Sequence, residues 1–267
     1  MAEHAMTEPG SETGLPDMTN RSSSQGGEQK PLYFTPSPEA EVALLARMLY
    51  REGYDDHNWG HISYEQPDGT ILINPWEVPW DEVRASDILR IDSAGKLLSG
   101  RWTVTPAIAL HLATHRIRPD VKVAVHHHSN WGTVWGALGE VPGIYNQNSA
   151  QVGDLGLYNE YEGDVTFNQI AEMNVRAMGD SNAAILANHG VFILASSIAQ
   201  AHQRCVSLEM RCRMAWRVKA LGTDKGLPMK QTAVDGLVAS MLSGKSQNRQ
   251  YYAMVRREIL ADASVLT

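Results

Sequence analysis

The chain has 267 residues, enough for one large domain with a real core, and 43% of them are hydrophobic against 20% charged. Its 23 Lys and Arg against 30 Asp and Glu give a formal charge of −7, and no Lys/Arg-rich run offers a nucleic-acid surface. No stretch of eighteen apolar residues occurs, so no membrane span is expected, and the first residues lack the apolar run of a secretory signal.

Residues 1–30 are rich in Ser, Gly, Glu, Thr, Pro and Asn. A segment so poor in apolar residues does not offset its ordering entropy, and it is expected to be a disordered tail ahead of one domain over 31–267. A helix follows: Ser37 is the candidate N-cap, Pro38 takes the first helical position, and Glu39 and Glu41 lie in the first turn. Val42, Leu45, Met48 and Leu49 form its apolar stripe, and Gly53 ends it. Residues 61–64 and 70–73 flank a Pro-Asp-Gly turn and predict a hairpin. Residues 87–92 predict a strand followed by a turn at 93–96, and 106–118 a helix. Residues 121–128 predict a strand, with Trp131 and Trp135 on a helix after it. A helix over 167–178 precedes a buried strand at 183–187, which 191–195 continues. The longest helix spans 197–221. Its Glu209 and Arg204, Arg211, Arg213 and Arg217 read as a solvated face or subunit contacts, and 231–260 is weakly helical. Cys205 and Cys212 sit seven apart in that helix, about 10 Å along its axis. That is too far for a disulfide and fits a reducing cytoplasm. Strands interspersed with helices, hairpins included, predict an α/β layered domain with a mixed or antiparallel sheet.

The sharpest chemical feature is Val125-His126-His127-His128. Residues two apart in a strand share a face, so His126 and His128 converge while His127 points away. His189 is the third candidate, at a strand end beside Gly190, which permits a sharp turn. Three neutral imidazoles on one divalent cation leave coordination positions open, the catalytic rather than the closed structural arrangement. The His-x-His spacing by itself more often marks two ordinary core or surface histidines than a metal site.

An ordered set of short motifs resembles the class II aldolase/adducin family over residues 37–222. The set is Trp59-Gly60-His61-Ile62-Ser63, Ile71-Leu72-Ile73-Asn74-Pro75, the strand at 87–92, Thr105-Pro106-Ala107-Ile108-Ala109-Leu110-His111, Arg118-Pro119-Asp120-Val121, His126-His127-His128 and Asn188-His189-Gly190-Val191. The resemblance implies an α/β/α sandwich around a mostly antiparallel sheet, assembled as a homotetramer with sites between subunits. It also implies that His126, His128 and His189 bind one divalent metal per subunit (Zn, Fe(II), Mn or Co).

The departures from the family pattern bear on the substrate. Sugar-phosphate aldolases of the family carry Ser-Ser-Glu ahead of the helix histidine, and counting back from His111 puts Ala107 at the position of that acid/base Glu. The family's phosphate-binding positions read Gly60-His61, Trp76-Glu77 and Thr105-Pro106. Pro106 has no N–H to give, Glu77 repels a phosphate, and Trp76 fills its space. Trp59, Trp76, Trp80, Trp131 and Trp135 lie near the motifs and together suggest a flat apolar pocket, although singly each is better read as core or interface.

Decarboxylation needs a charge sink and a later proton donor, whereas aldol cleavage needs a base, so losing the Glu shifts the expectation toward a metal-dependent decarboxylase of a non-phosphorylated aromatic hydroxy- or oxo-carboxylate. His61 and Tyr161 are the candidate catalytic residues, His61 as proton donor or as partner of the substrate carboxylate. Trp59, Asn74, Trp76, Thr105 and Trp131 are the candidate substrate contacts. His111 reads as orienting or structural, Tyr158, Glu160 and Tyr161 as a loop near the site, and Arg116 and Arg118 as solvated charges or carboxylate partners. Tyr251 and Tyr252 sit in the C-terminal segment, where aldolase relatives bring a tail tyrosine from a neighbour. The alternatives are a nonhaem Fe(II) oxygenase of an aryl-pyruvate or mandelate, an aldolase on a non-phosphorylated substrate, and an adducin-like scaffold, the last opposed by the intact histidine set. The expected partner is a small molecule, with neither nucleic acid nor membrane, and the expected compartment is the cytoplasm.

Overall fold

Ser37 caps the first helix as its sequence predicts. In the computed structural model its side chain accepts the Ala40 N–H at 3.1 Å, Pro38 opens α1 (Pro38–Arg51), and Glu39 and Glu41 lie in the first turn. The structure describes residues 35–158, 168–222, 226–242 and 245–267. The expected tail at 1–30 lies outside these residues, as do Glu160 and Tyr161.

Eight strands follow one another across a single sheet. The hairpin of β1 (His61–Glu65) and β2 (Ile71–Ile73) turns at Pro67-Asp68-Gly69. The next strand is β3 (Leu89–Ile91), shorter than the predicted 87–92 because 85–87 form a 3-10 turn in which Asp87 is buried and accepts from Arg101 and Trp102. Beside it lies β4 (Leu97–Ser99), an edge strand that its sequence does not announce, with all three residues exposed. After α2 (Ile108–Ile117) comes β5 (Val123–His127), then α3 (Gly132–Leu138) and α4 (Gln147–Ala150). Tyr158 belongs to a strand, β6 (Leu155–Tyr158), rather than to a loop. The helix α5 (Asn168–Met178) leads to β7 (Ala183–Leu186) and β8 (Gly190–Ala195). The long α6 (Ile198–Ala220), α7 (Gln231–Leu242) and α8 (Lys245–Ala261) complete the chain. The strand order is β4-β3-β2-β1-β5-β8-β7-β6, and every pair is antiparallel except β6 with β7.

Alternation along the central strands sorts side chains to two faces. Ala124, Phe192 and Leu194 pack against Ala109, Leu110 and Ala113 of α2 and Ala171, Val175 and Met178 of α5. The helices α1 and α6 lie against the sheet with α8 packed on them, which makes the α/β/α sandwich. The C-terminal segment is not a free tail: Tyr251, Val255, Ile259 and Val265 are buried, and Arg47 of α1 joins Asp262 at 2.8 Å. No helix among the described residues is long and apolar enough to cross a membrane.

The polar side of α6 departs from the reading as solvated charge. Arg213 and Arg217 are exposed, but Arg204, Glu209 and Arg211 are buried. Arg204 donates to the Leu194 carbonyl and Arg211 to Pro142 O at 2.8 Å. The N-terminus of α3 has no side-chain cap of its own, and Glu209 supplies one from α6: its carboxylate accepts the N–H groups of Trp131 and Gly132 at 3.1 Å. Glu209→Ala strands both donors and is expected to cost about 1–3 kcal/mol in chemical denaturation. Glu209→Gln keeps an acceptor and should lose clearly less; equal losses would remove the capping role.

Candidate metal centre

The central antiparallel pairs carry the site. His61 of β1 stands directly opposite His126 of β5, and His126 opposite Phe192 of β8. His128 follows the last residue of β5. His189 sits in the tight turn between β7 and β8, preceded by Asn188 at φ +55°. Gly190 closes that turn against the backbone of β5, where a Cβ would drive into the His127 carbonyl. Only a glycine lets the His189 turn come this close to the His-x-His strand.

The three predicted ligands meet: one ring nitrogen from each of His126, His128 and His189 lies within 4.8 Å of the others. The ring centroid of His189 is 4.7 Å from that of His126 and 4.9 Å from that of His128. Hydrogen bonds fix two tautomers. His126 Nδ1 lies 3.0 Å from the Val191 carbonyl, and His128 Nδ1 lies 2.7 Å from Asp56 Oδ2. Both partners accept, so both Nδ1 atoms carry the proton and both Nε2 atoms offer lone pairs. His128 Nε2 is buried with no hydrogen-bond partner. Burial, and then the neighbouring imidazoles, hold His126 well below its usual pKa and bring His189 down to about 4. Neutral imidazoles with an orphaned lone pair fit a divalent cation, and among the described residues this is the group of histidines, cysteines or carboxylates so placed.

His127 faces the other way, as alternation predicts, with its ring 4.9 Å from Tyr54 and 4.7 Å from Trp80. Burial pulls its pKa to about 3.

A second polar layer lies beside the three histidines. His61 stacks on His126 at 5.6 Å, and its Nε2 meets Thr105 Oγ1 at 2.7 Å. Thr105 also accepts the Ala107 N–H at 3.2 Å, and Ala107 begins α2 with a methyl group where a carboxylate would be needed. Burial first, and then His128 and His189, pull the His61 pKa to about 3. At neutral pH it is therefore a neutral hydrogen-bonding ring, which argues for the carboxylate-partner role over the proton donor. His111 is fully internal, edge-on to His61 at 6.0 Å, with Ser63 Oγ 2.7 Å from its Nδ1 and 2.8 Å from His115 Nε2.

The remaining predicted contacts divide. Trp59 is 60% exposed with its ring 6.3 Å from that of His128, and Trp76 is 41% exposed. Asn74 is buried, and its amide is committed to the backbone: it accepts from Ile62 at 2.6 Å and donates to Gly60 and Pro75. The Trp131 ring lies tilted against that of Trp216, 5.2 Å between centroids. Trp80 and Trp135 are core residues whose indole N–H groups reach Gly60 O and Cys212 O. Arg116 pairs with Glu172, and Arg118 ties the end of α2 to Asp120, Gly179 and Asn182. Tyr251 is buried in α8. Asp56 was missing from the sequence reading; its only signal there is an Asp-Asp pair in the polar loop after α1.

The family model for the class II aldolase and adducin N-terminal domain matches residues 40–216. The chain belongs to this family. Among its class II aldolase relatives, a Pseudomonas aeruginosa protein named for the class 2 aldolases is 30% identical over 189 residues, 69% of this chain and 72% of the relative. The 3-oxo-tetronate 4-phosphate decarboxylase of Escherichia coli is 27% identical over 184 residues, 65% of this chain and 84% of the relative. An aldolase II superfamily structure from Pseudomonas syringae superposes with a TM-score of 0.78 at 22% identity, covering 86% of this chain and 97% of that one. The sheet and its flanking helices are therefore the class II aldolase fold, and the chain has the family character of a lyase that takes small molecules.

Proposed function

We propose that the protein is a metal-dependent decarboxylase of a non-phosphorylated aromatic hydroxy- or oxo-carboxylate. The observation that carries this is the convergence of His126, His128 and His189 beside a helix start that bears Ala107 in place of a carboxylate. A bound divalent cation there supplies positive charge for the electron pair left when a carbon–carbon bond breaks. His61 and Thr105 present a hydrogen-bonding edge that can orient a substrate carboxylate. An alanine takes no proton from a hydroxyl, which disfavours aldol cleavage and leaves carboxylate loss, where the electron pair of the broken C–CO2 bond stays on carbon and is protonated by water once CO2 has left.

The substrate class rests on three features. The Glu77 carboxylate, at a position that faces phosphate in the resembled enzymes, accepts the Thr103 N–H at 3.0 Å. That bond holds Glu77 below the usual carboxylate range, so it stays negative and repels a phosphate. Pro106 has no N–H. The exposed Trp59 ring beside His128 gives a planar apolar surface for an aromatic substrate. Of five tryptophans near the motifs, Trp59 and Trp76 remain for this role.

The test is metal analysis of the purified protein, then a screen of ortho-hydroxy aryl carboxylates and aryl 2-oxo acids with CO2 and O2 followed together. Release of CO2 without oxygen uptake, dependent on a divalent metal, is the expected result. Oxygen consumption with Fe(II) would replace this reading with the oxygenase, and turnover confined to a phosphorylated sugar would remove the substrate class. Fourfold assembly belongs to the same proposal, and light scattering checks it.

A further inference from the structure

The carboxylate behind His128 comes from a part of the chain 72 residues away. The loop between α1 and β1 carries Asp56 to the end of β5, and the loop is pinned on both sides. Asn130, two residues after His128, donates to Gly53 O at 3.0 Å, and Asn58 donates to Trp76 O at 2.8 Å. Within the loop, His57 N–H bonds Asp55 O at 2.9 Å and Trp59 N–H bonds Asp56 O at 3.1 Å, and His57 takes a positive φ of 49°. A loop tied down by its own backbone and by the exit of β5 holds its carboxylate at a fixed place.

We propose that Asp56 is a positioning residue for the metal centre. It locks the tautomer and ring orientation of His128 so that Nε2 faces His126 and His189, and its negative charge makes that nitrogen a stronger donor. This rests on the metal-binding reading above. His126 has a neutral carbonyl behind it, whereas His128 has a carboxylate, so of these two the stronger donor is the one oriented by Asp56. The same loop carries Trp59 to the His128 ring, so the segment that tunes the ligand also lays one wall beside it.

The experiment titrates the full chain with Zn2+ against a competing chelator, and records the visible absorption of the Co2+-loaded protein, for wild type, Asp56→Ala, Asp56→Asn, Asp55→Ala and His128→Ala. Asp56→Ala should weaken metal affinity about 10- to 100-fold and shift the Co2+ bands. Asp56→Asn keeps an oxygen that accepts the Nδ1 proton and should recover part of the loss. Asp55→Ala, altered in the same loop, should bind like wild type. Circular dichroism of the metal-free forms reports whether each variant folds. Wild-type affinity in Asp56→Ala, or an equal loss in Asp55→Ala, overturns the role of Asp56 while leaving the metal centre standing. Wild type and His128→Ala binding alike would instead overturn the metal centre and, with it, this proposal.

Discussion

His128→Ala is expected to abolish metal binding and turnover together. The ring supplies one of three nitrogens lying within 4.8 Å of one another, and its Nε2 has no other partner, so nothing in the fold replaces it. Two imidazoles remain after the change, and a divalent ion bound by them competes poorly with water. The loss should exceed the roughly 10- to 100-fold typical of removing a group that only orients a ligand. The fold should survive, because His128 lies past the end of β5 with its side chain 21% exposed and the Asp56 carboxylate it leaves behind is 35% exposed. Metal content of the purified variant and CO2 release on the best substrate check this. A metal-free variant that still turns over would sink the mechanism; one that keeps its metal and loses turnover would shift the role of His128 to the substrate.

The convergence of His126 and His128 was legible because it rests on short-range rules. Period two along β5 puts His126 and His128 on one side and His127 on the other, while the sequence offers His189 only as a histidine at a glycine turn, joined to that pair by the family resemblance. What failed to show depends on contacts distant in sequence. Asp56 reaches His128 across 72 residues, and Glu209 reaches the α3 N-terminus across 77. No local pattern distinguishes such a carboxylate from a solvated one. Tryptophan near a motif proved a weak guide, since Trp80 and Trp135 are spent on the core, where a large ring with one N–H donor is worth burying. The strands β4 and β6 were missed for a related reason. The first is an exposed edge and the second pairs in parallel with β7, so neither shows the alternation of a half-buried strand.

The position of the missing Glu and the layer behind it belong to one design. With Ala107 at the start of α2, the groups beside His126 on this side are a neutral imidazole and a hydroxyl bonded to each other, His61 and Thr105. The negative charge that an aldolase glutamate brings is absent from this spot, so a bound cation keeps more of its charge for an anionic substrate. On the proposed reading, a carboxylic acid is the substrate class for which that arrangement is an advantage, and the negative charge of Glu77 disfavours a phosphate.

The second large effect is on stability in acid. His61, His111, His115, His127 and His202 are buried outside the set of three, and burial depresses His61 and His127 to about 3. Burial holds His115 and His202 at about 4 and His111 well below its usual value. A depressed histidine is neutral in the folded chain and takes up a proton on unfolding once the pH drops below about 6.5. The unfolded state then binds more protons, so stability falls with pH from about 6.5 downward, until the folded-state pKa is passed. At pH 5 a histidine moved from 6.5 to about 4 costs about 2 kcal/mol, so His115 and His202 alone cost about 4 kcal/mol and the other depressed imidazoles add to that, against a typical total of about 5–15 kcal/mol. The metal-free protein is therefore expected to lose most of its stability between pH 6.5 and 5, with a steep drop in thermal midpoint, while the midpoint changes little between pH 7 and 8. His202→Gln removes one of the seven depressed imidazoles and should flatten the acid slope by about a seventh. A midpoint that holds steady down to pH 5, or a His202→Gln variant with the wild-type slope, would show that these imidazoles are not the groups that take up protons when the chain unfolds.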